Sequence, residues 1–290
     1  MFSRIQTRYF RSLKAVDQSL GPVHALVGPN ASGKTTFLDV LGLLSDLVRN
    51  RGDVRETILS RSASFDKLIW QGPGEDRGHR AAFQIAVEAP IPEVVRVRMA
   101  EDKRQYTTVR YEIEIGFDVS TNEIGLNHET LWLRTSGGDQ LPVQKDMFPL
   151  VPEDAPSIFV GKSKSGFKVV MKKTLGGNDN YYTEGAKSYA PSFRLGRTKL
   201  GLAHIPADEA SFPVSSWFRD LLEKGVQNVV LNSQAIRLPS PPGLGLRFQS
   251  NGSNLPWVVA ELRRDSARFT DWLEHVRTAL GDIEDIDTIE

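Results

Sequence analysis

The sequence predicts an α/β fold with a mainly antiparallel β lobe, and three observations carry that expectation. Residues 22–50 read as strand, glycine-rich loop and helix. From about 80 to 200, short runs alternate apolar and polar side chains between turn signals, the period of antiparallel strands with one buried face. From about 210 helical spacing returns. With 290 residues, 40% hydrophobic and 25% charged, the chain can bury a large core in one elaborated domain or two lobes.

Ile5, Tyr9 and Phe10, then Leu13 and Val16, give two short strands over 2–17 with a break near Arg11-Ser12. Residues 22–27 form a short, mostly apolar run suited to a buried strand. After Lys34, apolar residues recur at Phe37, Leu38, Val40, Leu41, Leu44, Leu47 and Val48, one broad helical face. Asn50-Arg51-Gly52-Asp53 is its stop signal, 54–59 a short helix, and 70–74 a breaker. Strands over 82–87, 94–99, 109–115, 130–134 and 167–171 build the β lobe. Turn clusters at 120–122, 136–139 and 176–179 separate them. A helix over 214–223 carries Trp217, Phe218, Leu221 and Leu222. A short strand at 229–231 follows. Asn254 then precedes a helix with Leu255, Val258, Val259 and Leu262, and a second helix holds Phe269, Trp272, Leu273, Val276 and Leu280. Ile283, Ile286 and Ile289 suggest an opening strand. The expected divisions are 1–75, 76–205 and 206–290.

The stretch Gly28-Pro29-Asn30-Ala31-Ser32-Gly33-Lys34-Thr35-Thr36 fits G-x-x-x-x-G-K-[ST], the phosphate-binding P-loop. Glycines let successive backbone N–H groups turn inward as an anion nest. The following helix aims its positive end at the same point. Lys34 would reach the β- and γ-phosphates, and Thr35 would place a hydroxyl on Mg²⁺. The motif thus implies ATP and Mg²⁺, and ATP use favours a cytoplasmic location.

Lys+Arg and Asp+Glu are both 36, so no global basic field points to nucleic acid. Without cysteine there is neither a disulfide nor a thiolate site. No apolar run reaches the roughly 18 residues of a membrane span, and the opening MFSRIQTRYFRSLK lacks a signal-peptide core. His24, His79, His128, His204 and His275 share no metal-ligand spacing. Lys162, Lys164, Lys168, Lys172 and Lys173 form a basic run that either touches DNA or RNA phosphates or protects a sheet edge.

Three pieces of sequence resemble the N-terminal part of SMC/RecF-like, ABC-related ATPases, a class that includes AAA-type ATPases of bacterial defence and DNA maintenance. They are IQTRYFRSLK at 5–14 with its F-R-S element, GPNASGKTTFLDVL at 28–41, and Gly252-Ser253-Asn254-Leu255 before two helices. The resemblance implies a P-loop NTPase of ABC/SMC-head type. It would place Phe10 and Arg11 near the base or ribose, and Asn30 near the γ-phosphate. It would give a glutamine after the P-loop helix to Mg²⁺ and the attacking water. Gln71 is the first candidate and Gln84 the second; Gln71 also reads as a loop amide beside Trp70. Two such heads sandwich ATP in the family, so a second head is the implied partner, with DNA, RNA or an effector protein beyond it. A Walker B strand ending in Asp-Glu belongs late in such chains. Asp208-Glu209 is the nearest match, but His204 and Pro206 suit a loop better than a central strand. Ser136-Gly137-Gly138 and Gly176-Gly177 read as hairpin turns rather than as the family's signature loop. The expectation is a head that ends before its Walker B strand.

Overall fold

One eight-stranded sheet organises the computed structural model, which describes residues 1–72, 81–135, 157–161, 165–187 and 189–289. In chain order the strands are β1 (Arg4–Phe10), β2 (Leu13–Ser19), β3 (Ala82–Pro90), β4 (Tyr106–Asp118), β5 (Glu123–Thr135), β6 (Phe167–Lys173), β7 (Asp179–Tyr181) and β8 (Ser192–Phe193). The spatial order is β2-β1-β3-β4-β5-β6-β7-β8, every neighbouring pair antiparallel. The expected antiparallel lobe is therefore present, and it shares its sheet with the N-terminal hairpin. The helices are α1 (Lys34–Arg49), α2 (Val54–Arg61), α3 (Glu93–Arg96), α4 (Pro213–Asp220), α5 (Ser233–Arg237), α6 (Leu255–Arg263) and α7 (Ser266–Ala279). The chain divides into two compact units, 1–226 and 227–290.

Alternation explains the sheet. Phe83, Ile85, Val87 and Ala89 of β3 and Val109, Tyr111, Ile113 and Ile115 of β4 share one fully buried face. Phe10 meets Phe83 with ring centroids 5.1 Å apart. The other face is charged and also buried: Arg110 donates to Glu112 at 2.7 Å and to Glu88 at 2.8 Å, and Arg134 donates to Glu88 at 2.7 Å. Residues 157–161 lie across it, with Arg110 donating to the Ile158 carbonyl and the Val160 N–H donating to Glu112. Pairing makes these buried charges tolerable; removing one member would strand the others.

α1 buries Phe37, Val40, Leu43, Leu44, Leu47 and Val48, and it packs against α2 and the π-helical turn Leu221–Gly225 that continues α4. It ends at the expected signal, with Arg51 at φ 55 and Gly52 at φ 73. In the second unit, Asn254 is fully buried before α6. Its amide donates to the carbonyls of Gly245 and Arg247, and its oxygen accepts from Gln249 N–H.

Four expected strands are corrected. Residues 94–99 are not a strand: Pro92 precedes the short helix α3, whose Val95 and Arg96 N–H groups bond back to the Pro92 carbonyl. Val95 and Met99 are buried while Val94 and Val97 are exposed, so burial follows a spacing of four, not two. Residues 22–27 have no strand partner among the described residues, and Val23 and Val27 are 89% and 93% exposed. An apolar run becomes a strand only where a neighbour takes up its backbone groups. Residues 229–231 make a single ladder-like bond, Val230 N–H to the Ser250 carbonyl, and stay exposed. No strand forms over 281–289, where Arg263 donates instead to the Ile286 carbonyl and pairs with Asp285. The turn expected at 136–139 lies outside the described residues, as do His79, Lys162 and Lys164. Lys173 is no surface lysine: it is buried and paired with Asp179.

Candidate functional site

The glycine-rich loop wraps its own lysine. Lys34 Nζ donates to the carbonyl oxygens of Gly28 at 2.7 Å and Pro29 at 2.6 Å, with Ser32 Oγ at 3.4 Å. The ammonium therefore marks where a charge sits at the centre of the loop. Two glycines are required by geometry. Gly33 sits at φ 88, a left-handed conformation that side chains resist, and a Cβ on Gly28 would meet Ser32 Oγ at 3.0 Å. Ala31 also turns left-handed, at φ 64.

Gly33 is the N-cap of α1, so no side chain caps the helix, and no acidic residue stands in its first turn. The N–H groups of the first turn have no partner inside the helix and carry the positive end of its dipole. A capping side chain is worth about 1 kcal/mol, while each of the six buried apolar side chains of α1 contributes roughly 1.5–3 kcal/mol. Packing therefore holds α1 in place with its N-terminus left open. Pro29, Asn30, Ala31 and Thr35 are exposed; Ser32, Lys34 and Thr36 are half-buried. This donor set fits the phosphates of a nucleotide: an open helix end, an ammonium and an exposed loop backbone. Thr35 stands exposed on the first turn.

The hairpin turn between β1 and β2 borders the same helix. Ser12 Oγ donates to Thr36 Oγ1 at 3.1 Å, and Arg11 lies 3.2 Å from Asp39. Phe10 does not reach a ligand here. Its side chain is fully buried on Phe83: the left-handed backbone at Tyr9, φ 61, breaks the alternation that would have put it on the face of Gln6 and Arg8, so the placement of Phe10 near a base is corrected. Arg11 is the member of the pair that faces α1.

Gln71 directly follows Trp70, whose N–H donates to the Tyr9 carbonyl, so the chain carries it beside the same hairpin. Its side-chain amide donates to the Asp66 carbonyl at 2.9 Å. Gln84 belongs to the charged sheet face, donating to Glu114 at 2.7 Å. Asp208 lies in a loop, where hydrogen bonds from Ser211 and Tyr189 hold its carboxyl below the usual range. Asp39 and Ser12 were not singled out in the sequence. The available signal was position: Asp39 stands three and four residues after Thr36 and Thr35, on one face of α1.

A family model described as "AAA domain, putative AbiEii toxin, Type IV TA system" matches residues 23–266, more than half of the chain. The chain belongs to this family. The match spans the phosphate loop, the β lobe and the Gly252–Leu255 segment, so the P-loop NTPase fold expected from the sequence stands with it. An OLD nuclease from Thermus scotoductus is 48% identical over 44 residues, 15% of this chain and 8% of that protein. The chain thus spans under a tenth of the length of that curated relative. A solved structure from work on ATP-driven dimerization and DNA-stimulated activation of SMC ATPases covers 43% of this chain and 69% of its own, at 18% identity and a TM-score of 0.29. Among the described residues no helix is long and apolar enough to cross a membrane.

Proposed function

We propose that this AAA-family domain binds ATP with Mg²⁺ on residues 28–36 and hydrolyses it when paired with a second head. The observation that carries this reading is the loop closed around Lys34 at the uncapped start of α1. The N–H groups of the α1 first turn and Lys34 would hold the phosphates by charge and hydrogen bonding, the main work of phosphoryl transfer on such loops. Thr35, with Gln71 as its candidate helper, would hold Mg²⁺, whose charge offsets that of the phosphates. Nucleotide state would then be coupled to DNA handling or to control of an effector protein. Titration of the whole chain with ATP tests the site: Lys34→Ala weakens binding by about ten- to a hundredfold. An unchanged affinity overturns the assignment.

A second reading is a nucleotide-binding switch that does not turn ATP over by itself. It is favoured by the state of the acids. Asp39 is paired to Arg11 and Arg61, and Asp208 is engaged in its own loop, so neither stands ready to activate water. Phosphate release by the chain alone, at steady state and scaling with enzyme, would sink this reading.

A further inference from the structure

We infer that Asp39 is a positioning residue: it holds Arg11 beside the first two turns of α1, where Arg11 adds a second cation to the triphosphate gripped by Lys34. The inference rests on the nucleotide-binding reading of residues 28–36 and concerns a residue that reading does not use.

Three features place Arg11. Its backbone is left-handed, at φ 49, and Tyr9 before it is at φ 61, conformations that residues with side chains adopt rarely. Both are fixed from outside: Arg11 N–H donates to the Leu68 carbonyl, and Trp70 N–H to the Tyr9 carbonyl. Strain that the surroundings hold in this way clusters at functional sites. The next residue, Ser12, bonds Thr36 at 3.1 Å, so the turn is seated one helical turn from Asp39.

The pairing of Asp39 is asymmetric. Arg61 takes Oδ1 in a close ion pair and also engages Asp46. Arg11 meets the other oxygen, Oδ2, at 3.2 Å, and this contact is an ion pair without hydrogen-bond geometry. Arg11 Nε and Asp39 Oδ2 are both buried and have no hydrogen-bond partner. Arg11 is thus held through Nη1 by charge, with its side chain one-third exposed, while Arg61 shares the neutralisation of Asp39. An arriving phosphate can take a donor from the exposed part of the Arg11 fork while Asp39 keeps the side chain in place. A guanidinium suits this task because it presents its donors in a planar fork.

A double-mutant cycle on ATP affinity tests this in the full chain. Arg11→Ala and Asp39→Asn each weaken ATP binding about tenfold, and the double variant binds no more weakly than either single one. Asp39→Glu, which keeps the charge, restores affinity to within about threefold of wild type. A merely structural Asp39 would lower thermal stability and weaken ATP binding equally with or without Arg11. Additive losses, or wild-type affinity in Arg11→Ala, overturn the inference. Lys34→Ala is the control that separates the two layers. If Lys34→Ala weakens binding while Arg11→Ala binds as tightly as wild type, only the positioning role falls; if Lys34→Ala binds normally, the site itself is wrong and the inference falls with it.

Discussion

Two helix N-termini in the first unit face the same electrostatic problem and solve it in opposite ways. At α4 the carboxylate of Glu184 accepts from Val214 N–H at 2.5 Å, from Ser215 N–H at 3.1 Å and from the Ser215 hydroxyl, all of it buried. At α1 no side chain caps the first turn, Thr35 is exposed, and the lysine folds back on its own loop. Both ends call for an anion. One is filled by a carboxylate from the chain; at the other no side chain takes that place, and it is the end proposed to hold phosphate. Openness where an acid would stabilise is the difference between the two ends.

The comparison breaks most sharply if α1 is made to resemble α4. Thr36→Glu places an acid in the first turn of α1, where it favours the helix by about 0.3–1 kcal/mol. The same charge opposes a triphosphate, and two like charges about 4 Å apart at a protein surface repel by about 4 kcal/mol. ATP affinity should fall by at least about a hundredfold while the thermal midpoint holds or rises. Retained affinity in a titration would mean that the nucleotide does not use this helix end.

The converse change makes α4 resemble α1. Glu184→Ala leaves the buried N–H groups of Val214 and Ser215 without their acceptor, at a cost of about 3 kcal/mol. A denaturation midpoint close to wild type would show that water takes over the cap. The milder Glu184→Gln tests charge alone. Burial pushes the Glu184 carboxyl up to about 7, against 4.5 in the unfolded chain. Between those values the native state binds more protons than the unfolded state. Stability is therefore full below about pH 4.5 and declines as pH rises toward 7, by on the order of 3 kcal/mol. Glu184→Gln should flatten that decline; an unaltered pH profile would assign it to other groups.

The open end was legible in the sequence and the closed one was not. Glycine, lysine and threonine at fixed spacing mark the loop and the start of its helix, because the geometry is local. Glu184 caps a helix that begins 29 residues later, and nothing in the sequence ties it to Val214. The same limit accounts for Asp39, whose partners Arg11 and Arg61 arrive from a hairpin turn and from α2. Alternation found β3, β4, β5 and β6 because the period of a strand is written in consecutive residues. It misled at 94–99, where valines alternate but Pro92 begins a helical turn. It misled again at 22–27, where an apolar run lacks a neighbour among the described residues. What the alternation did not convey is that the charged face of β3, β4 and β5 is buried too, since burial there depends on residues 157–161 lying across it.

A third helix end supplies the smallest and most selective test. Asp53 caps α2, accepting from Glu56 N–H at 2.8 Å, and it pairs with Lys199 at 2.8 Å. The hydrogen bond from Lys199, then that from Glu56 N–H, holds its carboxyl below the ordinary value of 3.8. The sign is opposite to that of Glu184. The stabilisation from Asp53 is complete above about pH 4 and is lost as pH falls through its lowered value, because protonation removes the paired charge. Asp53→Ala should cost about 1 kcal/mol at neutral pH. Asp53→Asn keeps an acceptor for Glu56 N–H, so it should cost only a few tenths of a kcal/mol and remove the acid-side dependence. ATP affinity should stay at the wild-type value in both, since α2 ends no loop that meets the phosphate site. If Asp53→Asn weakened ATP binding instead, the three helix ends could not be independent. The coupling would then have to run from α2 through Arg61 to Asp39 and Arg11, the ion pairs that join α2 to the hairpin beside α1.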